Sequence, residues 1–477
     1  MTGTIARSLA AASLIVCLCS LLAACAAETP VNVAPEVELE AIATQPSELP
    51  ALGALPAVNG NPLPTLDASL PTATADDRSF GSIIEPGYTQ PPTSTPRPTE
   101  RPTATAVVLP STRPASAYTT PAQADRTRLN RAEMGIQVHY NLDTHAWSRT
   151  LHQIAALRVD WIKLQASWKW LQPNRPGEFE QNFRLFQLYV QEADKRGFKV
   201  LLSIAKAPDW ARNYDRNEDG PPDDFNELHW FIFKLIEKLG PYIDAIEIWN
   251  EPNLRREWTG GFPLSGVSYM ELFRVGYKAV REFSPNTTVI TAGLAPTGNH
   301  SGVSVDDRAF LRQMYQAGLA EFPDVKIGIH PYSWGNPPDF ICCNNVAGQG
   351  WDDRPQFFFL QTIRDYSSII AAHGHQTRMW VTEFGWATWE HFPTAAPEVW
   401  MAYNSALDQR DYTLRAFQIG QSRADIGLMI LWNLNFAHEL SINQRSELAS
   451  YSILYPSLDG SSQQRERPLY SALAARA

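Results

Sequence analysis

From Met134 to Trp432 the sequence alternates, eight times over, a short apolar run with a longer amphipathic stretch. The runs are Gly135–Val138, Trp161–Gln165, Lys199–Ile204, Ala245–Trp249, Thr288–Ala292, Lys326–Ile329, Met379–Thr382 and Gly427–Trp432. Each has the length of a buried strand, and the stretches between them carry helical periodicity with readable ends. Between about Gln181 and Arg196, for example, Phe183, Phe186, Val190 and Ala193 share one face, and Gly197 is placed to end the helix. A second helix over Asp224 to Leu239 stops at Gly240-Pro241. Eight strands, each followed by a helix, over about 350 residues predict a (β/α)8 TIM barrel.

All fifteen tryptophans lie at or after Trp147. The segment before them is of another kind. Seventeen of the 36 prolines fall between Glu28 and Ala124, mixed with Thr, Ala and Ser, without a period of 2 or 3.6 residues. Such a segment buries too little apolar area to offset its ordering entropy, so residues 26–125 are expected to form a disordered Pro/Thr-rich stalk. Residues 126–477 are then the barrel domain. At the start, Arg7, the apolar Ala10–Ala24 and Leu22-Ala23-Ala24-Cys25 have the layout of a signal peptide over residues 1–25. Its apolar run is shorter than the roughly 20 residues of a spanning helix. The last four residues resemble the bacterial lipobox, which implies lipidation of Cys25 and a membrane tether through it. Ordinary cleavage, with Cys25 incidental, is the other reading. The expected location is the cell surface, or outside the cell if the chain is secreted.

Two strand ends carry the chemistry. Ile246-Glu247-Ile248-Trp249-Asn250-Glu251-Pro252-Asn253 is a buried run that stops on an Asn-Glu-Pro turn, with Pro252 breaking the strand. Met379-Trp380-Val381-Thr382-Glu383-Phe384-Gly385-Trp386 is a second delivery of the same kind. The C-terminal strand ends form the working face of such a barrel, and strands 4 and 7 lie nearly across it from each other. One Asn-Glu-Pro alone is an ordinary turn. Two glutamates facing each other among tryptophans match what glycosidic bond cleavage needs: an acid for the departing oxygen and a carboxylate on the other side. The acid must keep its proton near neutral pH, which burial and a neighbouring negative charge can arrange.

The two segments together resemble the clan A retaining glycosidases, and within that clan the family 39-like branch of β-xylosidases and exopolysaccharide-degrading endoglycosidases. Ala205-Lys206-Ala207-Pro208-Asp209-Trp210-Ala211 is similar to that branch as well, and brings in Trp210 as a substrate-binding candidate. The resemblance spans roughly Met134 to Phe436. It implies retention of configuration, Glu251 as acid/base, Glu383 as nucleophile and Asn250 on the sugar 2-hydroxyl. His330-Pro331-Tyr332 is similar to the clan's His-x-Tyr, which implies that Tyr332 holds the nucleophile and His330 lines the subsite. Trp432 matches the clan's sugar-stacking platform, and a flat aromatic face suits the C–H faces of a pyranose whatever the family. His139, at the end of strand 1, reads as a subsite residue or as a hydrogen-bonded core histidine.

The remaining features constrain less. A net charge of −10 argues against nucleic acid and against a basic membrane-binding surface, and fits a neutral carbohydrate polymer or oligosaccharide as partner. Outside the signal peptide and Cys25 only Cys342 and Cys343 remain, either as a vicinal disulfide or as two thiols. Asp215-Arg216-Asn217-Glu218-Asp219-Gly220 has the spacing of half a calcium loop, but Asn226 stands where a bidentate Glu would complete it, so a plain turn is expected. The stretch Ser333 to Asp353 is expected to overhang the working face as a specificity wall. No metal and no cofactor are expected. The reading is a retaining β-glycosidase, leaning to endo action. A tethered carbohydrate-binding protein and a transglycosylase are the alternatives, and the oligomeric state is not readable.

Overall fold

The computed structural model describes residues 128–140, 144–174, 181–213, 218–343, 354–457 and 464–476. The expected signal peptide, Cys25 and the stalk lie outside the described residues, as do 215–217 of the calcium-loop spacing and 344–353 of the expected wall. Among the described residues no helix is long and apolar enough to cross a membrane.

Eight parallel strands form one sheet: β1 (Met134–Gln137), β2 (Trp161–Ser167), β3 (Lys199–Ala205), β4 (Ala245–Ile248), β5 (Thr288–Thr291), β6 (Ile327–Ile329), β7 (Met379–Phe384) and β8 (Ile426–Leu431). Their order is β5-β4-β3-β2-β1-β8-β7-β6. The sheet closes on itself where Ile290 bridges Lys326 in parallel, with Thr291 N–H donating to the Lys326 carbonyl and Lys326 N–H to that of Val289, both at 2.9 Å. The result is the expected (β/α)8 barrel. Helices follow the strands, beginning with Thr144–Leu157, Gln181–Lys195 and Phe225–Leu239. The second ends as its glycine suggested: Gly197 takes φ +83° and Phe198 N–H reaches back to the Ala193 carbonyl. The third starts on Asp224, whose side chain accepts the Asn226 N–H.

Side chains alternate along each strand, and the two sets build two different interiors. Ile162, Leu164, Val200, Leu202, Ile246 and Ile248 pack outward in the large core with the helices. The other set, Trp161, Leu201, Ala245, Ile290, Leu428 and Ile430, forms a separate apolar plug near the start of the strands. Two residues further along β2, β3 and β4 the same inward positions hold Lys163, Ser203 and Glu247, all buried. A charged layer therefore sits directly on the plug, beneath the strand ends. Burying charge is costly unless it is paired and hydrogen-bonded, so this layer has to be internally satisfied.

β7 runs two residues beyond the expected Thr382, because Phe384 still pairs with Leu431 of β8. Glu383 therefore stands within the strand rather than after it. Cys342 and Cys343 are joined as a vicinal disulfide. Asp219, from the calcium-loop spacing, pairs instead with Lys206, Nζ to Oδ2 at 2.7 Å.

Candidate active site

Glu251 reaches the barrel mouth through an unusual turn. Trp249 and Glu251 have φ of +77° and +43°, conformations that cost L-residues energy and that the surroundings must hold in place. Three hydrogen bonds do so. Glu251 N–H donates to the Gly293 carbonyl at 3.0 Å and Trp249 Nε1 to the Glu257 carbonyl at 3.0 Å. Asn253 Nδ2 donates to the Ala295 carbonyl at 2.9 Å. Asn250, between the two strained residues, is buried beside them.

Across the mouth, Glu383 is gripped at both oxygens. Tyr332 Oη donates to Oε2 at 2.9 Å, and Lys163 Nζ donates to Oε1 at 3.0 Å. Lys163 also reaches Glu247 Oε2 at 3.1 Å and the Thr382 carbonyl at 3.2 Å. His330 links the two glutamates: Nδ1 is 3.1 Å from Glu251 Oε1 and 3.9 Å from Glu383 Oε2, while Nε2 is 3.1 Å from Thr382 Oγ1. One oxygen of Glu251, one of Glu383 and one nitrogen of His330 all lie within 4.8 Å of one another. Three such groups could also converge on a metal ion. Here the buried Lys163 ammonium already supplies the positive charge, and both His330 nitrogens are engaged.

The protonation of this cluster differs from the sequence expectation for the acid. Burial pushes the Glu251 carboxyl up, but the hydrogen bond and charge of His330, then Arg256 at 3.4 Å, outweigh it and bring it below the usual range. Burial lowers the His330 imidazole, but Glu383 and Glu251 outweigh that and raise it. The two groups thus shift in opposite directions, each favouring the charged form of the other across their hydrogen bond. Lys163 behaves alike: burial lowers it, the Glu247 and Glu383 carboxylates more than reverse this, and it stays charged. Glu247 is held low by Lys163 and His330 against its burial. Burial and then Glu383 raise the Tyr332 phenol well above its ordinary value, so it remains a donor.

Around the glutamates runs an aromatic margin. Trp432 is 6.1 Å from Tyr332, 5.0 Å from Tyr451 and 5.7 Å from Phe436, ring centre to ring centre. His139 lies 5.5 Å from Phe436 and 6.1 Å from His438. Burial, then His438, pull His139 down to about 4, so its ring is neutral. Trp334 stacks between Phe357 at 3.9 Å and Trp400 at 5.2 Å, which ties the start of the expected wall to the loop after β7. Trp210 stands elsewhere: it packs edge-on against Trp168 and donates to the Gln172 carbonyl at 2.9 Å.

Of the sequence candidates, the structure brings together Glu251, Glu383, His330 and Tyr332, with Trp432 against Tyr332 and His139 one ring further out. Sequence reading passed over Lys163, Glu247, Arg256, Thr382 and Gly293. A lysine in the middle of an apolar strand, in Trp161-Ile162-Lys163-Leu164, was the available signal.

No protein-family model and no curated protein matches the chain. Among solved structures, it is similar to a family 39 glycoside hydrolase from the gut symbiont Bacteroides cellulosilyticus WH2, with a TM-score of 0.52 and 19% identity. That match covers 75% of this chain, which spans only 65% of the other. A monomeric β-xylosidase from Caulobacter crescentus CB15 matches with a TM-score of 0.47 and 12% identity, over 73% of this chain and 69% of its own. At these identities the likeness is one of fold alone: the chain shares the (β/α)8 fold of that family 39 glycoside hydrolase.

Proposed function

We propose that the chain is a retaining β-glycosidase that cleaves O-glycosidic bonds of extracellular poly- or oligosaccharides by double displacement. The observation that carries this is the approach of Glu251 and Glu383 to within 4.8 Å, oxygen to oxygen. Carboxyl groups about 5–5.5 Å apart go with retention, whereas inversion needs about 6.5–9.5 Å to seat a water between them. In this reading Glu383 attacks the anomeric carbon, and Tyr332 and Lys163 fix its two oxygens. The Glu251–His330 pair acts as one acid: it holds a single transferable proton, which crosses the 3.1 Å contact to Glu251 as the leaving oxygen develops charge. Once the ester has formed, ionised Glu251 activates water. Asn250 is assigned to the sugar 2-hydroxyl, and Trp432 and His139 to the ring faces. The lean to endo action rests on the stalked, surface-tethered organisation read from residues 1–125.

The test is reducing-end release from a panel of β-linked glycans, with anomeric configuration followed by NMR. Glu383→Gln should lose turnover while still binding sugar. Glu251→Gln should lose about 10²–10⁴-fold on substrates with poor leaving groups. Inverted product, or release that survives Glu383→Gln, overturns the reading.

A further inference from the structure

We infer that Lys163 and Glu247 form a fixed positioning pair beneath Glu383: Lys163 holds the Glu383 carboxylate in place by an ion pair and hydrogen bond, and Glu247 is the counter-ion that remains to Lys163 when the Glu383 charge is consumed. The inference rests on the glycosidase reading for Glu383's role as nucleophile, but its geometry stands independently.

The pair is built into the barrel rather than into the cleft. Lys163 is the third residue of β2 and Glu247 the third of β4, and their side chains are 1% and 0% exposed, against 11% for that of Glu383. Glu247 is thus out of reach of a sugar. Lys163 Nζ donates to Glu383 Oε1 and to the Thr382 carbonyl and is ion-paired with Glu247 Oε2 at 3.1 Å, so three oxygens surround the ammonium. Gly293 N–H donates to the other oxygen of Glu247 at 3.1 Å. Below them lies the apolar plug of Trp161, Leu201 and Ala245, so no solvent can replace a missing partner.

The charge count explains why two groups are needed. The groups facing Glu383 are Lys163 from β2, Glu247 and Glu251 from β4 and its end, His330 and Tyr332 after β6, and Tyr451 after β8. At rest, one ammonium serves two carboxylates. In the first step a Glu383 oxygen bonds to the anomeric carbon and the bond from that carbon to the leaving oxygen breaks. The leaving oxygen keeps the electron pair and takes the proton of the Glu251–His330 pair. Glu383 is now a neutral ester. Without Glu247, Lys163 would become a lone buried cation at that moment, an arrangement strongly disfavoured in a site closed to water. With Glu247 present, a neutral pair stays behind. Lys163 can therefore stabilise the resting anion without opposing its discharge.

The experiment titrates Glu383 directly. The full-length protein is labelled with carboxyl-13C glutamate, the Glu383 signal is assigned by its loss in Glu383→Gln, and its pH dependence is followed in wild type, Lys163→Met, Glu247→Gln and the double variant. The kcat/KM of each for aryl β-glycosides is measured as a function of pH. Lys163→Met should raise the Glu383 pKa by about 1–3 units and move the acid limb of kcat/KM upward by the same amount. Glu247→Gln should shift Glu383 the opposite way and lower kcat about 10-fold or more with KM little changed, since the cost falls on ester formation. The double variant carries no buried charge there, so it keeps the test open should Lys163→Met alone not fold; its Glu383 pKa should lie between those of the single variants. A Glu383 pKa that does not rise in folded Lys163→Met, or that in the double variant is no higher than in Glu247→Gln, overturns the pair, even if wild type cleaves glycans. Shifts as stated in a protein that cleaves no glycan support the pair and overturn the glycosidase reading instead.

Discussion

Gly293, just beyond β5, is where the site is most sensitive to a single methyl group. A Cβ there would lie 2.2 Å from both Cδ2 and Nε2 of His330 and 2.8 Å from Thr382 Oγ1. Ordinary contact begins at 3.4 Å, so the imidazole would have to withdraw by more than 1 Å. Its two hydrogen bonds, at 3.1 Å to Glu251 and 3.1 Å to Thr382, would stretch beyond useful length. The backbone has little room to yield instead, because Gly293 N–H is bonded to Glu247 and its carbonyl to Glu251 N–H. Overpacking costs about 1–3 kcal/mol. Leaving a buried polar group unsatisfied adds about 1–3 kcal/mol. Gly293→Ala should therefore destabilise the domain by about 2–6 kcal/mol in urea unfolding. Well below its transition it should also lose about 100-fold in kcat/KM, the usual effect of misplacing a catalytic group by about 1 Å. Gly260→Ala is the control, since a Cβ there meets nothing within 4 Å. A Gly293→Ala protein within about 0.5 kcal/mol and twofold of wild type would refute the packing of His330 against β5.

Two further outcomes are expected. Glu257 is pushed up to about 7, first by burial and then by Asp219 and Glu251 against the pull of Lys206 and Arg256, and its Oε2 is buried without a hydrogen-bond partner. A carboxyl raised on folding binds more protons in the folded state, so its contribution falls as pH rises from about 4.5 to about 7. The shift corresponds to about 3 kcal/mol at most, and partial exposure reduces this to about 1–2 kcal/mol. Glu257→Gln should stabilise the protein by that amount at pH 8 and not at pH 4; an equal effect at both would show that the site is not charge-strained. For the tether, inhibiting lipoprotein signal peptidase with globomycin in an expressing host should cause the unprocessed precursor to accumulate, and normal processing would remove Cys25 from the account.

All eight strands were legible in the sequence to within about two residues, because each apolar run is bounded by a breaker or by a helix whose period differs. Glu251 and Glu383 were legible for a related reason: each ends a buried run, and only the mouth of a barrel gives such a carboxylate anything to do. The charged layer beneath them was not. Glu247 has the look of any inward residue of an alternating strand, and Lys163 of a blemish in one, until β2, β4 and β7 bring Lys163 to a partner 220 positions away. The state of the acid escaped for the same cause. Burial alone would keep Glu251 protonated, and from sequence burial is the readable term. What reverses it is His330, 79 positions on, placed by β6 and held from behind by a glycine with no side chain to see. The positions of the two glutamates proposed to react are thus a local property of two strand ends, whereas the charged partners around them are drawn from different strands. A barrel that kept both glutamates but lost Lys163 or Gly293 would retain the motif and lose the buried contacts that hold Glu383 and His330 in place.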